Sequence, residues 1–166
     1  MKMVLSALSR YAIKIDHVAI AVHDLDASVD FYERLGFQTV ERRETQGDKT
    51  GMVSAVLSAA NIILVLIQGT AQGSQVDRFI ENYGPGVQHI AVEVRDLEAL
   101  RKELSSSGIE FSTTLIQGRG IRQSFTARDH GSGMMFEFIE RQTNDGAFTD
   151  ESVRELFEQL ERNDAY

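Results

Sequence analysis

One stretch of this chain occurs twice. Ile15 to Phe37 reads IDHVAIAVHDLDASVDFYERLGF, and Val87 to Ile109 reads VQHIAVEVRDLEALRKELSSSGI. With His17 set over His89, the two share His, Ala, Val, Asp, Leu, Ala and Gly without a gap. A supersecondary unit that recurs must bury one face together with its copy, so two related halves are expected. A histidine that recurs at one place in a strand predicts a site where those halves meet.

Local patterns fill in the halves. KIDHVAIAV alternates as a strand, with Ile15, His17, Ala19 and Ala21 on one face and Val18, Ile20 and Val22 on the other. Asp24 is placed to cap a helix over 26–35, which Gly36 ends. MVSAVLS and IILVLI read as strands joined by a turn at Ala60-Asn61, followed by the loop GTAQGSQ. QVDRFIENYG reads as a linking helix stopped by Gly84-Pro85-Gly86. The second copy predicts a strand over 87–94, a cap at Asp96 and a helix over 97–106. Strands near 121–127 and 134–140 follow, split by a turn over 128–133. From Thr149 to Leu160 an amphipathic helix is expected, with Val153, Leu156, Phe157 and Leu160 as its apolar stripe. Val4, Leu5, Leu8 and Tyr11 suggest one face of a short helix near the start.

Composition narrows the function. The chain of 166 residues is long enough for one domain with a real core, and no linker long enough to split it is present. It has no cysteine, which excludes disulfides and thiolate chemistry and makes a cytoplasmic location the expectation. A formal net charge of -8 argues against nucleic acid and anionic membranes as partners. No apolar run approaches the ~18 residues that a membrane span needs. The opening MKMVLSALSRYAIK is interrupted by Arg10 too soon for a secretory signal.

Three residues carry the chemistry. His17 and His89 sit on strand faces whose neighbours, Ala19 and Ala91, are small. Glu137 is embedded in the apolar strand GMMFEFIER, where a carboxylate is costly unless paired or bound to a metal. A lone strand histidine is usually a core or surface residue, and a lone strand glutamate usually faces water, as Glu140 is expected to do. Two histidines in repeat register plus a carboxylate in the last strand of the second copy are a different matter. Two histidines and one carboxylate with positions left open form the facial triad of non-haem Fe(II) oxygenases. His23, His130, Asp77 and Glu81 show no such register and are expected at the surface.

The paired modules with His, His and Glu resemble the vicinal-oxygen-chelate superfamily. Within it, residues from about 13 to 160 resemble the catalytic C-terminal domain of the 4-hydroxyphenylpyruvate dioxygenase and hydroxymandelate synthase family. YGPGVQHIAV resembles that family's second-histidine segment, SAVLSAANIILVLIQ its strand pair, RQSFTARDHGSGMMFEFIER its glutamate strand and the strand before it, and GAFTDESVRELFEQLE its closing helix. The resemblance implies an α+β fold of one domain over 1–166. Two paired βαβββ modules, about 13–68 and 86–141, form a cupped mixed sheet, and a closing C-terminal helix spans about 149–161. The resemblance thus implies a stand-alone version, without the family's large N-terminal domain.

Carried over position by position, the resemblance implies that His17, His89 and Glu137 hold Fe(II). It places Ser54, Gln68, Gln75, Gln88, Gln123, Phe125, Met135 and Phe148 at the substrate. The implied reaction is oxidative decarboxylation of a 2-oxo acid by dioxygen, with hydroxylation of the substrate. The partners are then a small molecule and dioxygen, and a homodimer is compatible with the family. Met135 stands where the family has a phenylalanine and is expected to look into the pocket. Ser152-Val153 stands where it has Asn-Phe, and Gln68 where it has Asn. These departures favour an aliphatic or differently shaped 2-oxo acid over hydroxyphenylpyruvate. Two rivals are weaker. A metal-dependent epimerase of the methylmalonyl-CoA type would use a fourth protein ligand in the first module's last strand, where this chain has Leu64 or Val65. A metal-free binding or resistance protein would lack the ligand set.

Overall fold

The computed structural model describes residues 6–163. Each half starts with a central strand and runs through a capped helix to an antiparallel ladder. The first half comprises β1 (Ala12–Ala21), α2 (Leu25–Arg34), β2 (Gln38–Gln46), β3 (Gly51–Ala59) and β4 (Ile62–Gly69). The second comprises β5 (Gly86–Val94), α4 (Leu97–Ser106), β6 (Ile116–Gly118), β7 (Ile121–Phe125) and β8 (Met135–Arg141). A short α1 (Ala7–Tyr11) precedes them, α3 (Gln75–Tyr83) links them and α5 (Asp150–Arg162) follows. Leu8 and Tyr11 of α1 pack on the second half's core, whereas Val4 and Leu5 lie outside the described residues.

All eight strands form one mixed α+β sheet in the order β2-β3-β4-β1-β5-β8-β7-β6. The halves join through β1 and β5, which pair antiparallel, while each centre strand pairs parallel with the last strand of its own half. The pairing is reciprocal: His17 lies opposite Ala91, and His89 lies opposite Ala19. An offset of 72 positions, that from His17 to His89, relates the halves from the centre strands through the last strands.

The helix caps obey the same offset. Asp24 accepts from the Ala27 amide and Asp96 from the Ala99 amide, both at 3.0 Å. Gln68 at the end of β4 accepts from the Leu25 amide, and Glu140 at the end of β8 accepts from the Leu97 amide, both at 2.7 Å. Each helix thus has one first-turn amide satisfied by its capping aspartate and another by the last strand of its own half. Glu140 therefore does not simply face water, as expected; it caps α4 and pairs with Arg122 at 2.9 Å.

The outer faces of the sheet are covered by α2 and α4, over cores built on Val29, Leu57 and Leu66 and on Val94, Leu97 and Phe138. On the inner face, Val76 and Phe79 of α3 cover Ala21 and Ile67. Leu160 of α5 packs on Phe125 and Met135. Thr149 caps α5 and closes a reciprocal capping box with Ser152.

Two strands were not expected from residue patterns. β2 reads QTVERRETQ and its one large apolar residue, Val40, is 59% exposed. It is an edge strand held by its ladder to β3, so no hydrophobic alternation marks it. β6, three residues long, is the opposite edge. Both are third elements of their βαβββ unit, which the resemblance implies. Among the described residues, no helix is long and apolar enough to cross a membrane.

Candidate functional site

The register of the sheet brings three side chains to one point. β5 pairs with β8 so that Ala91 lies beside Glu137, and with β1 so that Ala91 lies beside His17. Nε2 of His17 is 3.2 Å from Glu137 Oε2, and Nε2 of His89 is 3.4 Å from the same oxygen. The two imidazoles meet edge to face with centroids 5.5 Å apart. Glu137 and His17 are buried, and the ligand atoms of all three residues lie within 4.8 Å of one another.

Hydrogen bonds fix which nitrogens converge. Nδ1 of His17 donates to Asp16 Oδ1 at 3.0 Å, and Nδ1 of His89 donates to Gln88 Oε1 in a short contact. Both Nε2 atoms are thereby turned toward Glu137. Burial works against charge on all three groups, but the pairs override it in two of them. Asp16 and Glu137 raise His17 to about 9. The two histidines hold the Glu137 carboxyl below its usual range, despite its burial. His89, whose orienting partner is neutral, is pushed down by burial. Asp16 is lowered to about 2 by His17 and Arg141, again against burial.

The triad fits a divalent metal. Two ligands ~2.1 Å from one ion and at right angles stand about 3 Å apart, close to the two Nε2–Oε2 distances. Glu137 Oε1 is buried without a protein partner, and a carboxylate in that state needs a cation or a donor. Soft thiolates are absent, and two imidazoles with one carboxylate suit iron, manganese or zinc.

The triad opens into a cavity of about 330 Å³ between the concave face of the sheet and α5. Ser54, Gln75, Gln88, Gln123, Phe125 and Phe148 all line it. Phe125 stands edge-on to His89 and Phe148 edge-on to His17, with centroids 4.9 and 6.1 Å apart. Gln75 Oε1 and both amide atoms of Gln123 are buried with no protein partner. Gln88 is committed to His89. Val56, Val65 and Ile67 of the first half, with Val153, Leu156 and Phe157 of α5, give the cavity an apolar stretch of wall.

Two expected residues lie elsewhere. Gln68 is outside the cavity, because its amide oxygen caps α2. Met135 shares the buried face of β8 with Glu137 but does not reach the cavity; it packs behind Phe125 and against Leu160. Ser152 is spent in the capping box, while Val153 faces the cavity.

Four charged residues at the site escaped the residue patterns. Arg141 lines the cavity and donates to Asp16 Oδ2 at 2.7 Å and to the Gly146 carbonyl at 2.7 Å. It stands four residues after Glu137, so the two-residue period of a strand places it on the same face and could have found it. Asp16 gave no such signal, since a regular strand points it away from His17. Glu41 and Arg43 line the cavity from the unrecognised strand β2 and pair at 2.7 Å, and Arg43 also meets Asp150 at 3.0 Å.

Known proteins share the sequence pattern and the fold. A family model for the Glyoxalase/Bleomycin resistance protein/Dioxygenase superfamily matches residues 14–138. The 4-hydroxyphenylpyruvate dioxygenase of Pseudomonas aeruginosa is 27% identical, over 90% of this chain and 52% of its own length. An ethylmalonyl-CoA/methylmalonyl-CoA epimerase of Cereibacter sphaeroides is 31% identical, over 57% of this chain and 71% of its own. In fold, the chain is similar to a mutant 4-hydroxymandelate synthase from Streptomyces coelicolor, with a TM-score of 0.81 and 23% identity over 92% of this chain and 55% of that one. The chain spans about half the length of the dioxygenases it matches.

Proposed function

The chain belongs to the Glyoxalase/Bleomycin resistance protein/Dioxygenase superfamily, and within it we propose a non-haem Fe(II)-dependent dioxygenase that acts on a 2-oxo acid. The observation that carries this reading is Val65. β1 pairs with β4 so that Ala19 lies beside Val65, as Ala91 lies beside Glu137 on the other side of the joint. Val65 is therefore the counterpart of Glu137 and lines the cavity without a ligand atom. The protein offers three donors on one face of an ion and leaves the remaining positions to a bidentate substrate and dioxygen.

Bound Fe(II) would supply the redox chemistry with dioxygen that drives loss of the substrate's carboxylate and hydroxylation of the remainder. The protein's residues do the rest. The amide oxygen of Gln75 and both amide atoms of Gln123 are unpaired and neutral, so they can orient a polar ligand without adding charge. Phe125 and Phe148 flank the two histidines, and the apolar side of α5 lines one wall of the cavity. The likeness to 4-hydroxyphenylpyruvate dioxygenase over 90% of the chain supports the same reading.

A metal-dependent epimerase is the second reading. Glu41, a cavity carboxylate outside the triad, favours it because epimerisation needs a base, and the likeness to an acyl-CoA epimerase agrees. It ranks second because Val65 leaves no fourth ligand and Glu41 is paired with Arg43. Anaerobic reconstitution with Fe(II), followed by a screen of 2-oxo acids, separates the two. Oxygen uptake matched by carbon dioxide release is expected. Racemisation of an acyl-CoA without oxygen, and no uptake on any 2-oxo acid, would overturn the proposal.

A further inference from the structure

The two histidines are oriented by the residues just before them, and those residues differ in charge. From Ile15 to His17, β1 advances two residues while β5 advances one, from Val92 to Ala91. Asp16 is the extra residue of a β-bulge. From Val87 to His89, β5 advances two residues while β1 advances one, from Ile20 to Ala19. Gln88 is the extra residue of a second bulge. A bulge re-aims a side chain that a regular strand would turn away. Each bulge here swings its side chain onto Nδ1 of the following histidine.

The symmetry of the frame stops at the next shell. Asp16 is clamped from behind by Arg141, whose other arm holds the Gly146 carbonyl. The residue at the place of Arg141 in the first half is Gly69. A β-carbon there would meet Ser74 Oγ at 2.1 Å, so no side chain of any kind stands behind Gln88 from that position. His17 is backed by a carboxylate, His89 by an amide. A carboxylate on Nδ1 stabilises the positive charge an imidazole gains when Nε2 gives up its lone pair, and it does so more than a neutral amide.

We propose that Asp16, anchored by Arg141, is a positioning residue that makes His17 the stronger imidazole donor of a centre whose backbone frame is otherwise two-fold. The inference rests on the reading of His17, His89 and Glu137 as a metal centre. Through Arg141 and Gly146, the same side chains tie that donor to the segment that leads into α5.

Co(II) is the probe, because its visible bands report the ligand field without turnover. Wild-type protein, Asp16→Asn and Arg141→Gln are titrated with Co(II) and followed by equilibrium dialysis and absorption. Asn keeps the size of the side chain and one accepting oxygen, which can still serve His17, and removes the charge together with the oxygen that accepts from Arg141. Asp16→Asn is expected to weaken Co(II) binding about ten-fold and to shift the bands, with Arg141→Gln moving both the same way by less. Wild-type protein that binds no Co(II) overturns the metal-centre reading itself. Wild-type protein that binds, alongside a folded Asp16→Asn with the same affinity and the same bands, overturns this inference alone. If Asp16→Asn does not fold, unchanged affinity and bands in Arg141→Gln overturn it equally.

Discussion

Val65 and Glu137 hold the same place in the two halves of the molecule, one beside Ala19 and the other beside Ala91, and only one of them carries a ligand atom. The site is therefore built on a two-fold frame and completed on one side only. In the proposed metal centre that difference would set how many coordination positions stay free, and it can be reversed.

Val65→Glu should supply the missing donor. The substitution is expected to keep or tighten divalent metal binding and to lower oxygen uptake at least ten-fold by occupying a position the substrate needs. Metal titration beside an oxygen-electrode assay tests it. A variant with full oxygen uptake and unchanged metal affinity would remove Val65 from the argument.

Stability of the metal-free protein should fall as pH rises from 6.5 to 9. His17, at about 9 against an ordinary 6.5, contributes stability that is complete below 6.5 and lost as pH climbs through 9. The loss is on the order of 2–3 kcal/mol. His89, pushed down by burial, works the other way at the low end of the window, where its unfolded form binds more protons than its folded one, and this opposing slope fades as pH rises. A metal needs His17 unprotonated, so the rise in Tm that a metal confers should grow over the same window. Thermal melts with and without Co(II) at four or five pH values give the answer, and parallel curves would refute it.

Gln68→Ala and Glu140→Ala should both uncap a helix, with Glu140→Ala costing more because it also breaks the ion pair with Arg122. Each removes the acceptor for one first-turn amide, and that loss alone is expected to cost about 1 kcal/mol, visible as a few degrees in Tm. Neither residue touches the cavity, so metal affinity should not change. A selective loss of ligand binding in Gln68→Ala would return that residue to the substrate.

Met135→Phe should destabilise rather than give a bound ligand a second ring. Met135 is fully buried against Phe125 and Leu160, and the larger ring would overpack that cluster by about 1–3 kcal/mol. Denaturant midpoints test this directly. A variant of wild-type stability with a shifted preference toward aromatic 2-oxo acids would show that position 135 reaches the ligand after all.

Much of this was legible in the chain itself. The repeat fixes two like halves, and a histidine in each centre strand follows from its register. Alternation and capping residues mark most strands and helices to within a few positions, because local hydrogen bonds and one buried face suffice for them. Glu137 is conspicuous because a carboxylate among phenylalanines is costly without a partner. The edge strand β2 left no trace, since the face it turns inward carries Glu41, Arg43 and Thr45 rather than apolar residues, and the pairing that holds it is one no residue pattern records. Its charged pair Glu41 and Arg43 was missed with it.

What only the tertiary structure decided lies in register and direction. Pairing of β1 with β4 picks Val65 over Leu64 as the counterpart of Glu137, a difference of one residue that flips a side chain to the other face. The bulges at Asp16 and Gln88 reverse the direction that alternation assigns to each, and they depend on how two distant strands align. Gln68 and Met135 have the right sequence positions for a binding site, but a helix end claims one and a neighbouring ring screens the other. Sequence sets which chemistry is present and on which strands; the long-range pairing of those strands sets which side chains meet.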